Sequence, residues 1–305
     1  MTKRRDFIKT MGLSSAVVLG SGFVPAPSPK AANFKYCLNT STIRGQNPGL
    51  IKYIEIAAKA GYEGIELWVE DIKNFIEANS ANRLKKIIED NGIKVENAIG
   101  FAPWMAADEE KSKAGFEQMG KEMDMLASIG CKRVAAPAIG NEGPIDLMRA
   151  GKQYKELIEL GRSKGVMPQL EFWGAFGPFH HLGQTMMVAA VANDPDAKIL
   201  ADVYHLFRGG SGYDGLKLLS GQSIDIFHMN DYVDNIPREK QEDKDRVYPG
   251  DGAAPMEQIL SDLNQMGGEK ILSLELFNRS YWEKDPLEVA KTGLDKMKSL
   301  VAKVQ

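Results

Sequence analysis

From residue 34 onward, strand-like and helix-like stretches alternate eight times, and that order leaves few folds open. The strand-like runs are short and aliphatic or β-branched, covering residues 34–39, 64–68, 94–99, 133–137, 169–172, 198–203, 224–229 and 271–276. Between them, apolar residues recur at helical spacing. Ile51, Ile54 and Ala58 form such a stripe after the first strand, and Phe116, Met119, Met123 and Leu126 after the third. Met256, Ile259, Leu260 and Leu263 do so after the seventh, and Ala290, Leu294, Met297 and Val301 after the eighth. Gly61, Gly92 and Gly130 follow three of the helical stretches, where a left-handed residue stops a helix. The remaining helices are expected at residues 71–91 in one piece, 145–164, 182–193 and 213–220. Strict alternation calls for a parallel sheet, because each parallel crossover needs a long return segment that packs outside the strands. An open doubly wound sheet is disfavoured, since residues 39–45, Asn-Thr-Ser-Thr-Ile-Arg-Gly, lack the spaced glycines of a dinucleotide site. A closed α/β barrel of eight βα units is expected over residues 33–305.

Four residues then acquire meaning from their place. Glu171, Asp202, His228 and Glu275 sit at or near the C-terminal ends of the last four strands. In a parallel barrel those ends open into one mouth. Three carboxylates and an imidazole there would form a site for one divalent ion, with Mn, Mg, Co and Zn all open. Any one of them alone would read as an ordinary ion-pair partner; four in succession favour a metal. Glu66, ending the second strand, reads either as a contact for a substrate hydroxyl or as a buried ion pair. Asp231 is placed beside the His228 ring as its hydrogen-bond partner. Trp68, Trp104, Trp173 and Trp282 fall in or near βα loops, where an aromatic face can stack on a sugar ring or simply pack the rim. Trp104, Trp173 and Phe176 could also accommodate an apolar aglycone. His180 and His181 read as substrate contacts rather than a second metal site. Arg208-Gly-Gly-Ser-Gly212 is a weak anion cradle. The longest βα loop, residues 231–252, has the length of a functional segment.

The N-terminus is of a different kind. Lys3-Arg4-Arg5-Asp6-Phe7-Ile8-Lys9 precedes a mildly apolar stretch and then Pro25-Ala-Pro-Ser-Pro-Lys-Ala-Ala32. This resembles a twin-arginine export signal, residues 1–32, cleaved near Ala31 or Ala32. It implies passage through the twin-arginine export machinery and a periplasmic protein. The formal charge of the chain is −3, and it becomes −7 without residues 1–32, so nucleic acid is not expected as a partner. Cys37 and Cys131 are too few for a disulfide framework and read as buried thiols.

Leu170-Glu171-Phe172, Asp202-Val-Tyr-His205, His228-Met-Asn-Asp231, Arg246-Val-Tyr-Pro-Gly-Asp-Gly252 and Leu274-Glu275 together resemble the sugar phosphate isomerase/epimerase superfamily. These are xylose-isomerase-like proteins, and the resemblance implies a single (β/α)8 TIM barrel. It implies one divalent metal held by Glu171, Asp202, His228 and Glu275, with His205 and Arg246 on substrate oxygens. On residue chemistry alone, His205 could instead be a satisfied core histidine and Arg246 a solvated arginine. Trp173 and Glu66 join the expected substrate contacts. The implied chemistry is proton transfer through an enediolate, with Glu171 and Glu275 on opposite faces of the reacting carbon. Epimerisation, aldose–ketose isomerisation and β-elimination all fit that site. The expected enzyme is a metal-dependent sugar isomerase or epimerase, with a 3-keto-glycoside lyase or dehydratase as the alternative. Export favours an unphosphorylated ketose or keto-glycoside. A non-catalytic sugar-binding protein has no need of two such glutamates, and an abasic-site nuclease needs more than four histidines. The sequence leaves a homo-oligomer open.

Overall fold

The computed structural model describes residues 31–305; the expected export signal, residues 1–32, lies almost wholly outside the described residues. The strands are β1 (Asn33–Asn39), β2 (Gly64–Trp68), β3 (Lys94–Ile99), β4 (Arg133–Pro137), β5 (Met167–Glu171), β6 (Ile199–Asp202), β7 (Ile226–Met229) and β8 (Glu269–Leu274). All ladders are parallel, in the order β3-β2-β1-β8-β7-β6-β5-β4. At the seam, Arg133 of β4 donates from Nη1 to the Glu96 carbonyl of β3 (3.3 Å) and to its carboxylate (3.1 Å). The eight strands thus form a nearly closed ring with helices between them, the single (β/α)8 TIM barrel expected from the alternation.

Period-two geometry explains how the ring is filled. Cys37, Ala135, Leu200, Ile226 and Ile271 belong to a small apolar cluster, separate from the larger core between strands and helices. Two residues further along four of those strands stand Asn39, Asp202, His228 and Ser273, none more than 2% exposed. An apolar layer is therefore overlaid by a polar one. Burial of each apolar side chain contributes about 1.5–3 kcal/mol. The polar layer stabilises nothing by area and must be satisfied by mutual bonding.

Two helical expectations need correction. Residues 71–91 form two helices, Val69–Ala78 and Ala81–Asp90. Asn79 leaves helical geometry (φ −139°, ψ −107°), and the Ser80 hydroxyl accepts the Arg83 N–H to start the second helix. After β6 the α-helix is Val203–Arg208, begun by the Asp202 side chain, which accepts the His205 N–H. The stretch expected at 213–220 is only a 3-10 turn, Asp214–Leu218. At the expected cleavage point, Ala32 is already packed, its N–H directed at the Asn264 carbonyl (3.1 Å) and side-chain oxygen (2.9 Å).

Candidate metal centre and active site

Register brings the first pair together: Asp202 on β6 is the ladder partner of His228 on β7. Glu275 follows β8 directly, and its N–H bonds the Met229 carbonyl (3.1 Å). One ligand atom from each of Asp202, His228 and Glu275 lies within 4.8 Å of the other two. His228 Nδ1 stands 3.2 Å from Glu275 Oε2 and 3.7 Å from Asp202 Oδ2. That nitrogen is buried and has no hydrogen-bond partner among the described residues. Burial pushes the imidazole pKa down, but the carboxylates of Glu275 and Glu66 outweigh it and hold it well above its ordinary value.

Arg246 comes from the long loop and is 1% exposed, so the solvated-arginine reading is wrong. Its Nη1 donates to Asp202 Oδ2 (3.1 Å) and Glu275 Oε2 (2.9 Å), and its Nη2 to Asp243 Oδ1 (2.5 Å). The guanidinium is sandwiched between the Tyr204 and Phe277 rings, 4.6 and 5.1 Å from their centroids. Burial raises the Asp202 carboxyl, yet Arg246, His205 and His228 together leave it at about 2. Glu171 is the opposite case. Burial pushes its carboxyl up to about 8; His228 pulls against that, and Glu275 and Asp202 add to it. Of the four expected ligands, Glu171 alone lies outside the tight cluster, although it lines the same cavity as Glu275.

His205 Nδ1 accepts the Gly174 N–H (3.2 Å), which leaves the ring proton on Nε2. Nε2 lies 3.3 Å from Arg246 Nη2. Two donors side by side call for an oxygen from outside the protein. Both residues line a cavity of about 370 Å³ with a polar floor and aromatic walls. The walls include Trp68, Phe101 and Trp173, whose rings follow one another at 5.2 and 6.2 Å.

Other expected residues do different work. Glu66 does not reach the mouth: it is fully buried, absent from the cavity wall, and 3.0 Å from His228 Nε2. It takes the place beside the imidazole that was expected of Asp231. Asp231 instead accepts the N–H groups of Tyr232, Gly250, Gly252 and Ala254, tying both ends of the 231–252 loop together. A Cβ at Gly252 would meet the Tyr232 carbonyl at 2.2 Å, so that closure requires glycine. Trp104 is fully buried against Tyr154 and is not on the cavity wall. Trp282 is also off that wall and donates to the Ser41 carbonyl. His181 caps the helix Leu182–Ala192, and His180 Nδ1 bonds the Gly177 carbonyl. Arg208 spends its guanidinium on the carbonyls of Gln241 and Glu239, and a Cβ at Gly209 would meet the His180 carbonyl at 1.9 Å.

Sequence reasoning missed Asn230, Phe101, Phe277 and Asp243. Asn230 donates to Asp202 Oδ2 (3.0 Å) and accepts the Tyr204 N–H (2.9 Å). It lay inside the His228-Met-Asn-Asp231 motif and could have been singled out there.

The donor set suits a divalent ion. Two carboxylates and a free imidazole nitrogen converge, and an open side faces the cavity, as in metal sites that keep a position for substrate. Asp202 and Glu275 share Arg246 as their paired cation, and the buried acids around His228 leave the layer rich in negative charge that a divalent ion would offset.

The sequence matches the xylose isomerase-like TIM barrel family over residues 54–300. It is similar to an inosose isomerase of Halalkalibacterium halodurans, 27% identical over 281 residues, 88% of this chain and 97% of the relative. It is 21% identical over 254 residues to a 3-dehydroshikimate dehydratase of Pseudomonas putida, covering 79% of this chain and 38% of that one. Among solved structures, the IOLI protein with a bound zinc atom superposes with a TM-score of 0.83 at 25% identity, over 89% of this chain and 99% of that one. A D-psicose 3-epimerase of Clostridium cellulolyticum shares the fold, with a TM-score of 0.68 at 17% identity.

Proposed function

The chain belongs to the xylose isomerase-like TIM barrel family, and we propose that it is a divalent-metal enzyme that shifts a proton beside the carbonyl of an unphosphorylated ketose or keto-glycoside. The observation that carries this is the buried, unpartnered His228 Nδ1 between Asp202 and Glu275 on the floor of an open cavity. In this reading Asp202, His228 and Glu275 hold the ion, and Glu171 is the fourth ligand. Bound there, a divalent ion supplies Lewis-acid polarisation of the substrate carbonyl. The structural relative with zinc supports a metal, and the ion itself stays open among Zn, Mn, Co and Mg.

The chain's residues supply the rest. Glu171 carries a carboxyl whose affinity for a proton is raised into the neutral range, which suits a group that takes and returns one. Glu275 serves the opposite face of the reacting carbon. His205 Nε2–H and Arg246 orient the developing oxyanion. Trp173 and the neighbouring rings exclude water and pack the apolar face of the sugar. The relatives named as inosose isomerases support a polyhydroxylated ketone as substrate. The dehydratase relatives favour a second reading, in which the same carboxylates eliminate water or an aglycone from the β-carbon.

The test is turnover in deuterated water with the metal-loaded protein on a panel of inososes, ketoses, 3-keto-glycosides and 3-dehydroshikimate. We expect deuterium beside the ketone in at least one of them. An isomer of the substrate marks the epimerase or isomerase, and a released aglycone or water marks the lyase. Full-rate product without label points to hydride transfer, and no exchange with any substrate sinks the reading. The twin-arginine segment motivates a further proposal, that the protein is exported and begins near Ala32 or Asn33. N-terminal sequencing of material from outside the cytoplasm checks it; an intact Met1 there refutes the cleavage.

A further inference from the structure

Below the cavity, Glu66 is bound by donors from four strands. Its Oε2 accepts from Asn39 Nδ2 of β1 (3.2 Å) and from the Ser273 hydroxyl of β8. Its Oε1 accepts from Asn97 Nδ2 of β3 (2.8 Å). His228 Nε2 of β7 lies 3.0 Å from Oε2 and 3.3 Å from Oε1. A fully buried carboxylate with amide and hydroxyl donors on both oxygens is held in its ionised form. An ionised carboxylate can only accept. The imidazole nitrogen facing it must therefore carry the proton. In a neutral ring the lone pair then falls on Nδ1, the nitrogen beside Glu275 and Asp202.

Asn39 extends the arrangement. The same Nδ2 that reaches Glu66 also donates to Glu275 Oε1 (2.9 Å). With that oxygen held, Oε2 is the one turned to His228 Nδ1 at 3.2 Å. One buried acid on β2 thus orients the ring on β7 directly and, through Asn39, the carboxylate after β8.

We propose that Glu66 is a positioning residue that presents His228 Nδ1, rather than Nε2, as the metal-binding nitrogen. This rests on the metal reading of the site. A carboxylate behind a ligating histidine fixes its tautomer, and loss of such a partner costs about 10–100-fold in metal affinity.

The test uses the full chain, zinc alone, and a competing chromophoric chelator, together with ¹⁵N-edited NMR of the imidazoles. The chain has four histidines, so His228 can be assigned by elimination with single variants. In the wild-type zinc form we expect Nε2 protonated and Nδ1 metal-bound. Glu66→Gln should weaken zinc by about 10–100-fold and lose the single-tautomer signature. Ile271→Val takes a methylene from the apolar layer beneath, bonds neither the ring nor Glu66, and should keep both affinity and tautomer. Equal loss in the two variants would assign the effect to packing and overturn the proposal. Zinc bound through Nε2 in the wild type also overturns it, whether or not Glu66→Gln folds. A wild type that binds zinc while Glu66→Gln binds equally well removes the role of Glu66 alone. A wild type that binds no zinc removes the metal reading itself.

Discussion

His228→Gln will bind zinc about 10²-fold or more weakly than the wild type, taking a share of about 3 kcal/mol per ligand from a typical site. Glutamine is chosen because its terminal amide reaches about as far as Nε2, where it can still donate to Glu66. It has no atom where Nδ1 stands, 3.2 Å from Glu275 and 3.7 Å from Asp202. His228→Ala would confound the result, because removing one partner of a buried charge pair costs about 3–5 kcal/mol of stability. Metal content after exhaustive dialysis, read beside a thermal melt of each metal-free protein, checks the prediction. Equal zinc in the two proteins would remove His228 from the ligand set and the proposed centre with it.

Glu171→Gln should lower turnover by about 10²–10⁴-fold at saturating metal, the usual cost of losing general acid–base help. The substitution keeps size and polarity but removes the titrating oxygen. Glu171 differs from the other acids in two ways: it lies outside the cluster of Asp202, His228 and Glu275, and its carboxyl is raised to about 8. A group so placed serves proton transfer better than charge neutralisation. Solvent deuterium exchange should fall in parallel with turnover. A variant that keeps its rate, or loses it only at limiting metal, would make Glu171 a ligand alone.

Much of the site was legible along the strands. Glu171, Asp202, His228 and Glu275 stand at or near strand C-terminal ends, and in a parallel barrel those ends share one mouth. The cavity residues His205 and Arg246 came from motif resemblance, and the structure puts both on its wall. The errors were of another kind. Asp231 was expected beside the His228 ring, yet its carboxylate turns to four backbone N–H groups of the loop. Trp104, left between a sugar contact and packing, is buried beside Tyr154.

Local alternation determined that there is a parallel barrel and which strand ends carry the acids and the imidazole, because both depend only on each strand and the return helix that follows it. It could not determine which inward residues meet. Glu66 and His228 are 162 residues apart, and they touch only because the ring closes with a particular stagger between β2 and β7. The same closure sets Arg246 against Asp202 and Glu275 and leaves the Nδ1 of His228 without a partner. Pairings across a barrel are fixed by the register of every intervening strand at once, and no single segment of the chain contains that information.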